Sequence, residues 1–579
     1  MLNVYRNLLV VALLFACLCV GSAAAQDDPT ADGWTTEAIS NSATLILKKV
    51  GTAIVDASNH PDKTRFENIS VFDDFAAFMP KPAAVTPVFT SQQFAVRRAT
   101  ESTRQIDRFS HFVKVAGDGI SSVESCAFKI VGIVRQADTL KTRVKVAIHG
   151  KSDHRIVEQN HEWDVEWLIS KNDLKSLRLS KIRIVSFEET RLKSSNRGPL
   201  FQDETTQVFG ELESFWKQLA YGQPYWLRRI ESIHGMLNPA QNGMSVGDVN
   251  GDGFDDIYIC QPGGLPNRMY LREPTGQLRD ISKTSGTDLL DNTHAALWID
   301  FDNDGDQDLV ASTSNAILFF EHFSPLRFRL KVSLEEMRDC YTLAAADFDN
   351  DGDLDVYACG YFRSGADVQS LPVPVPYFDA RNGGSNYLIR NERNWQVSDA
   401  TAEVALSSNN DRFSYAALWF DYDQDGDQDL YVANDFGRDN LFENRMEKNR
   451  VRFVDVSEKV GLTQGAFGMS VSAADLNRDG FDDLYVANMY SSAGNRITNQ
   501  PAFRPNANVG LRNRFRQLAA GNSLLMNRTA TQFENIADAA RVDMGRWSWG
   551  ANFVDLNNDG LEDLLVTNGY ISGKDPDDL

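Results

Sequence analysis

Six nine-residue stretches place oxygen-bearing side chains at positions 1, 3, 5 and 9, with glycine at position 6. The first three read Asp248-Val-Asn250-Gly-Asp252-Gly253-Phe-Asp-Asp256, Asp300-Phe-Asp302-Asn-Asp304-Gly305-Asp-Gln-Asp308 and Asp347-Phe-Asp349-Asn-Asp351-Gly352-Asp-Leu-Asp355. The others read Asp421-Tyr-Asp423-Gln-Asp425-Gly426-Asp-Gln-Asp429, Asp475-Leu-Asn477-Arg-Asp479-Gly480-Phe-Asp-Asp483 and Asp555-Leu-Asn557-Asn-Asp559-Gly560-Leu-Glu-Asp563. Alternate positions of a tight loop turn their oxygens to one side. Glycine permits the bend without a Cβ clash, and the acid at position 9 closes the shell. Calcium suits such a set: it accepts about 6–8 oxygens at roughly 2.3–2.6 Å in irregular geometry, with a backbone carbonyl and water completing the shell. Magnesium demands a smaller octahedron, and zinc prefers nitrogen and sulfur.

Electrostatics points the same way. Carboxylates about 4 Å apart repel by roughly 4 kcal/mol per pair at an effective dielectric of about 20. Without a cation, some must bind protons or the loops must splay. The competing reading is a plain Asx-turn hairpin whose aspartates cap backbone N–H groups; it suits a single copy better than six. An EF-hand is excluded, because position 12 is Ile259, Ala311, Ala358, Val432, Val486 or Val566, each inside a β run, where that motif needs Glu and a helix. Up to six Ca2+ ions are therefore expected.

The first residues of the loops lie 52, 47, 74, 54 and 80 apart, which is one unit of about fifty residues with two long insertions. A small, apolar stretch precedes each loop, as in Ala295-Ala-Leu-Trp-Ile299 and Ala416-Ala-Leu-Trp-Phe420, and a β run such as Leu430-Tyr-Val-Ala follows it. Two further strand candidates often complete the unit, most clearly Asn440-Leu-Phe-Glu-Asn444 and Phe453-Val-Asp-Val-Ser457. Four strands per repeat predict a mainly β protein, a β-propeller of six to seven blades spanning 236–579.

With the loops, Tyr490-Ser-Ser-Ala-Gly-Asn-Arg-Ile-Thr498, Tyr377-Phe-Asp-Ala-Arg-Asn-Gly383 and Trp547-Ser-Trp-Gly550 complete the likeness. Residues 241–579 resemble the FG-GAP/VCBS-type repeats of integrin α-subunit propellers, and more closely the cartilage acidic protein (CRTAC, ASPIC/UnbV-associated) family. The resemblance implies calcium held between the first two strands of each blade by positions 1, 3, 5 and 9. The sequence stops at Asp577-Asp-Leu579, shortly into the sixth repeat, so the ASPIC/UnbV domain of that family is expected to be missing. A strand from Tyr225–Met236 is expected to close the ring in place of the sixth unit's outer strands.

Residues 1–25 read as a signal peptide: Arg6, an apolar run from Leu8 to Val20, and Ala23-Ala24-Ala25 as a cleavage site. The run is too short for a membrane span, and no second one follows. Secretion, the periplasm or the cell surface is the expected location. Residues 26–110 read as a linker and helical segment with a polar helix near 91–110. Four alternating runs within 111–200 (Phe128–Gln136, Lys141–His149, Glu162–Ile169, Leu177–Phe187) predict an antiparallel sheet covered by a helix, similar to the cystatin-like or NTF2-like α+β folds. Residues 201–235 read as a helix (Glu204–Leu219) and a connection.

The charge is lopsided: residues 26–240 carry a net +1 and residues 241–579 a net −24. An acidic surface excludes nucleic acid as partner, because phosphate binding needs clustered positive charge. Beyond the signal remain Cys126, Cys260, Cys340 and Cys359, which fit either up to two disulfides or buried free thiols. The sequons Asn68-Ile-Ser70 and Asn527-Arg-Thr529 matter only in a eukaryote.

Function divides between a protein- or glycan-binding adhesion module and an extracellular polysaccharide lyase or hydrolase on a calcium-loaded scaffold. No GxSxG, HExxH or P-loop occurs, so no catalytic residue and no organic cofactor is assigned. His294, before a first strand, is the histidine to inspect, with a strand-end role the simpler expectation. Trp163 and Trp167 suit either a ligand pocket in the N-terminal domain or its core. The insertions at 362–385 and 490–521 are the candidate contact loops, the second bearing Arg496, Arg504, Arg512, Arg514 and Arg516.

Overall fold

The computed structural model describes residues 35–60, 69–81, 84–90, 94–99, 104–136, 139–170, 173–193, 201–231, 242–363, 373–447 and 450–569. The signal segment and Asn68 lie outside the described residues. The chain divides into two compact units, Met1–Gly198 and Pro199–Leu579. No helix among the described residues is long and apolar enough to cross a membrane.

In the first unit, helix α1 (Thr35–Asn59) buries Ile39, Ala43, Leu47, Val50 and Ile54, one stripe at three- and four-residue spacing. That stripe packs on an eight-stranded sheet: β1 (Val71–Met79), β2 (Thr86–Thr90), β3 (Phe94–Ala99), β4 (Arg104–Ile106), β5 (Ser122–Gln136), β6 (Thr139–Ser152), β7 (Arg155–Ser170) and β8 (Asp173–Leu192). The long strands β5 to β8 form the expected antiparallel meander, and β1 lies parallel to β8. The described residues within 35–106 thus supply helix α1 and strands β1 to β4 of this unit.

The polar stretch at 91–110 holds β3, β4 and only the start of helix α2 (Phe109–Val115). Its charges answer a neighbouring strand: Arg97 and Arg98 sit directly opposite Glu189 and Glu188 and pair with them. Trp163 and Trp167 are fully buried, donating to His161 Nδ1 at 3.2 Å and Thr142 Oγ1 at 3.0 Å, so both are core residues and line no pocket.

The second unit is a run of antiparallel sheets. Its first sheet contains Met244–Gly247, Asp256–Ile259, Arg268–Arg272 and Leu278–Asp280; its second contains Thr293–Ile299, Asp308–Thr313, Ile317–Ser324 and Arg327–Leu334. The third contains Cys340–Ala346, Asp355–Gly360, Tyr387–Asn391 and Val397–Asp399, and the fourth Phe413–Phe420, Asp429–Asp435, Asn440–Glu447 and Arg450–Asp455. Ser470–Ala474, Asp483–Ala487, Ser523–Asn527 and Phe533–Asn535 make the fifth, and the sixth pairs Ser548–Val554 with Asp563–Asn568.

Successive sheets pack through their first strands. Small side chains allow this approach: Ser470 and Ser472 Oγ accept the N–H groups of Ala551 and Phe553. Second strands Asp308–Thr313, Asp355–Gly360, Asp429–Asp435 and Asp483–Ala487 are buried on both faces, which explains their near-continuous apolar runs. Asp563–Asn568 is half-buried at best.

Two expectations fail here. Tyr225 and Trp226 end a short helix (Gln223–Trp226), and turns follow through Ile230; no closing strand starts there. The stacked aromatic rings of Tyr221 and Tyr225, centroids 4.0 Å apart, hold that compact form, and residues 232–236 lie outside the described residues. Glu204–Leu219 is likewise a broken helix: Thr205–Phe209, then a π-helical turn at Phe215–Leu219. Among the described residues, Cys126, Cys260, Cys340 and Cys359 are free thiols.

Candidate metal centre

Each loop joins the first strand of a sheet to the second, and its backbone is wound by two left-handed residues. Glycine at position 6 has φ between 80° and 98° in all six loops, and position 4 (Gly251, Asn303, Asn350, Gln424, Arg478, Asn558) has φ between 56° and 71°. The winding directs N–H groups at the acids. The position-1 carboxylate accepts the N–H of position 5 on Oδ1 and that of glycine 6 on Oδ2, at 2.7–3.1 Å throughout. Position 5 accepts the N–H of position 7 in the same way. Each oxygen keeps a second lone pair for a cation.

Position 9 opens the second strand and fastens the hairpin to its sheet. Asp429 accepts the N–H of Tyr422 at 3.1 Å and of Asn444, on the third strand, at 2.7 Å. Asp256, Asp308 and Asp483 repeat the pair of bonds. Asp355 keeps the third-strand bond, from Asn391, while its Oδ2 is buried without a partner. Burial dominates their titration despite these donors: it pushes Asp308 up to about 7, Asp355 and Asp429 to about 8, and Asp483 to about 6. At these four carboxylates burial outweighs the backbone donors.

Position 3 separates the loops into two kinds. In loops 2, 3 and 4 it is Asp302, Asp349 or Asp423, and Oδ1 of each is buried with no hydrogen-bond partner. Burial first, and then the carboxylate at position 5, raises all three above the ordinary range. In these loops the oxygens of positions 1, 3 and 5 lie within 4.8 Å of one another: Asp300, Asp302 and Asp304; Asp347, Asp349 and Asp351; Asp421, Asp423 and Asp425. In loops 1, 5 and 6 position 3 is asparagine. Asn250 and Asn477 accept the N–H of Asp252 and Asp479, and Asn557 donates to Asp563.

The donor set fits calcium: hard oxygens, converging, with one buried acceptor left over in each of three loops. In loops 2, 3 and 4, positions 1, 3 and 5 could hold the ion. Position 9, expected from the sequence as a fourth ligand, is committed first to the backbone.

The sequence reading overlooked the third-strand asparagines. Besides reaching position 9, Asn391, Asn444 and Asn527 donate through Nδ2 to the carbonyls of Phe301, Phe348 and Tyr422, position 2 of the preceding loop, at 2.7–2.9 Å. The signal was a recurring Asn-x-Leu or Asn-Leu run ending in Asn, as in Asn386-Tyr-Leu-Ile-Arg-Asn391 and Asn522-Ser-Leu-Leu-Met-Asn527. Asn527, fully buried, is therefore unsuited as a glycosylation site.

His294 is buried at a strand end, Nε2 3.0 Å from Ser314 Oγ and its ring against Tyr341, as a structural residue would be. Much of the arginine-rich insertion is engaged within its own unit. Helix Val509–Ala520 places Arg514 3.7 Å from Asp379, while Arg504 lies over the Phe515 ring and Arg496 is buried.

The family model for the FG-GAP-like repeat matches residues 248–311, 300–358 and 421–486. These are FG-GAP-like repeats. Each match opens on position 1 of a loop, and loops 3 and 5 fall inside matched stretches. No curated protein matches the chain. Among solved structures, the chain is similar to an Agrocybe aegerita lectin that recognises non-reducing terminal N-acetylglucosamine, at 13% identity over 57% of this chain and 75% of that one, TM-score 0.32. It is also similar to the V. cholerae biofilm matrix protein Bap1, at 16% identity over 43% and 35% of the two chains, TM-score 0.25. A RAG complex with one melted RSS and one unmelted RSS matches at 14% over 45% and 79%, TM-score 0.27.

Proposed function

We propose that the chain is an exported β-propeller of FG-GAP/VCBS type in which calcium is a structural element, and that it serves as a protein- or glycan-binding adhesion module. The observation that carries the calcium reading is the buried, unpartnered Oδ1 at the same position of three successive loops. An unpaired buried carboxylate oxygen is costly, and a cation at that point serves three acids at once. The propeller reading is supported by sheets packed in chain order through their first strands, together with the repeat matches.

In this reading the blade loops rigidify one rim, while the inserted segments between second and third strands, 373–386 and 488–522, present the surface that meets a partner. A binding module is favoured over an enzyme because the sequence carries no GxSxG, HExxH or P-loop, and His294 is buried at a strand end against Ser314 and Tyr341. Export rests on the leader-like residues 1–25. The test is binding of the calcium-loaded protein to immobilised glycans and matrix proteins. Saturable binding that is lost when calcium is stripped supports the module. Turnover of a glycan in the same panel would replace it with the enzyme reading.

A further inference from the structure

Position 4 is not a ligand position, yet in loops 2 to 5 its side chain crosses to the next loop along the chain. Asn303 Nδ2 donates to Asp353 Oδ1 at 2.7 Å and to the Gly352 carbonyl at 3.2 Å. Asn350 Nδ2 donates to Asp427 Oδ1 at 3.0 Å. Gln424 donates to the Gly480 carbonyl, and Arg478 to the Gly560 carbonyl. Every step from loop 2 to loop 6 is bridged, always onto position 6 or 7 of the following loop.

The two ends of each bridge are matched in the sequence. A short asparagine at position 4 faces an aspartate at position 7 (Asp353, Asp427). Where position 7 is Phe481 or Leu561, a longer glutamine or arginine reaches the backbone instead. The first step breaks the pattern and obeys its logic. Gly251 has no side chain to offer, and Asp306, the acid at position 7 of loop 2, lies 3.6 Å from His322 with its Oδ1 lacking a hydrogen bond.

We propose that Asn303, Asn350, Gln424 and Arg478 couple calcium binding at neighbouring loops, so that loops 2 to 6 load cooperatively and loop 1 loads alone. The inference rests on the calcium reading above. Residue 4 sits between two ligand positions in a left-handed conformation that the wound loop maintains. Its target is the bend at positions 6 and 7, which directly follows the position-5 acid that would hold the ion of the next loop. Winding one loop around its ion therefore sets a donor against the bend of the next, and the second ion finds that bend already ordered. Thermodynamic linkage makes the effect reciprocal.

The experiment is a calcium titration of the full chain, by calorimetry and by terbium luminescence. The wild type is compared with the double variant Asn303→Gly, Asn350→Gly. Glycine copies position 4 of loop 1, keeps the left-handed backbone without strain and leaves the net charge unchanged. Expected are a Hill coefficient above 1 in the wild type, a lower one in the variant, and a midpoint shifted upward about fivefold in free calcium. Independent sites in the wild type overturn the proposal. So does an isotherm of unchanged shape in the variant, even with a lower melting temperature, since that assigns position 4 to packing alone. Absence of calcium uptake by the wild type overturns the underlying calcium reading and this proposal with it.

Discussion

Loops 2, 3 and 4 and loops 1, 5 and 6 share one backbone conformation and differ in the side chains at positions 3, 7 and 8. The first group carries Asp at positions 3 and 7, and the second carries Asn at 3 with its extra acid at 8. In the first group a buried oxygen at position 3 has no partner; in the second the asparagine amide finds one inside its own loop. The contrast separates two things the repeat does. The acids at positions 1, 5 and 9 hold backbone N–H groups in every loop, whatever stands at position 3. The demand for a cation is set at position 3.

The largest expected effect erases that difference. The triple variant Asp302→Asn, Asp349→Asn, Asp423→Asn gives loops 2 to 4 the position-3 chemistry of the others. Calcium affinity at those loops should fall by about tenfold or more, as the charge of the ligand set drops. The metal-free protein should melt higher than the metal-free wild type, because three mutual repulsions are removed. Calorimetric titration and a melt of stripped protein measure both; unchanged affinity would show that position 3 does not decide.

The second prediction sharpens the role of position 9. Asp429 is fully buried and holds two backbone N–H groups, whereas Asp563 is half-buried in a two-stranded sheet. Asp429→Ala should cost about 3 kcal/mol by stranding buried donors, and Asp563→Ala about 1 kcal/mol or less. Denaturant unfolding distinguishes them, and equal costs would contradict the packing argument.

How far the sequence could lead is visible in the same residues. The loops, their strand-to-strand placement and the repeat were legible because nine positions recur six times, and side-chain type alone dictates the winding. The sequence also offered positions 1, 3, 5 and 9 as equivalent ligands. Only three dimensions reveal that Asp429 is anchored to Asn444, fifteen residues away, while Asp423 has an acceptor unused. Cross-strand partners were hidden for the same reason in the N-terminal unit, where Arg97 and Arg98 resembled a helical charge run until Glu189 and Glu188 lay beside them. Residues 225–230 hold the end of a short helix and turns where a strand was expected, and the Tyr221–Tyr225 stack beside them is invisible in an alternation pattern.

The smallest effect is on pH dependence. Burial raises the folded-state pKa of Asp308, Asp355, Asp429 and Asp483 to between about 6 and 8, against an ordinary value near 3.8. The metal-free fold thus binds more protons than the unfolded chain between these values. The contribution from these four groups is fully present below about pH 4 and is lost as pH rises through about 8. Stripped protein should melt higher at pH 5 than at pH 8, and calcium at pH 8 should restore the difference. A stripped protein that gains stability over that interval would contradict the assignment of these carboxylates.

The most direct measurement is metal analysis of the purified chain combined with thermal melts before and after stripping. At calcium about a hundredfold above its dissociation constant, each occupied loop adds about 2.7 kcal/mol. At least three bound calcium ions per chain and a clear fall in melting temperature on stripping, reversed by added calcium, are the predicted result. A chain that carries no calcium and melts at one temperature with or without it would show that the unpartnered oxygens of Asp302, Asp349 and Asp423 need no ion.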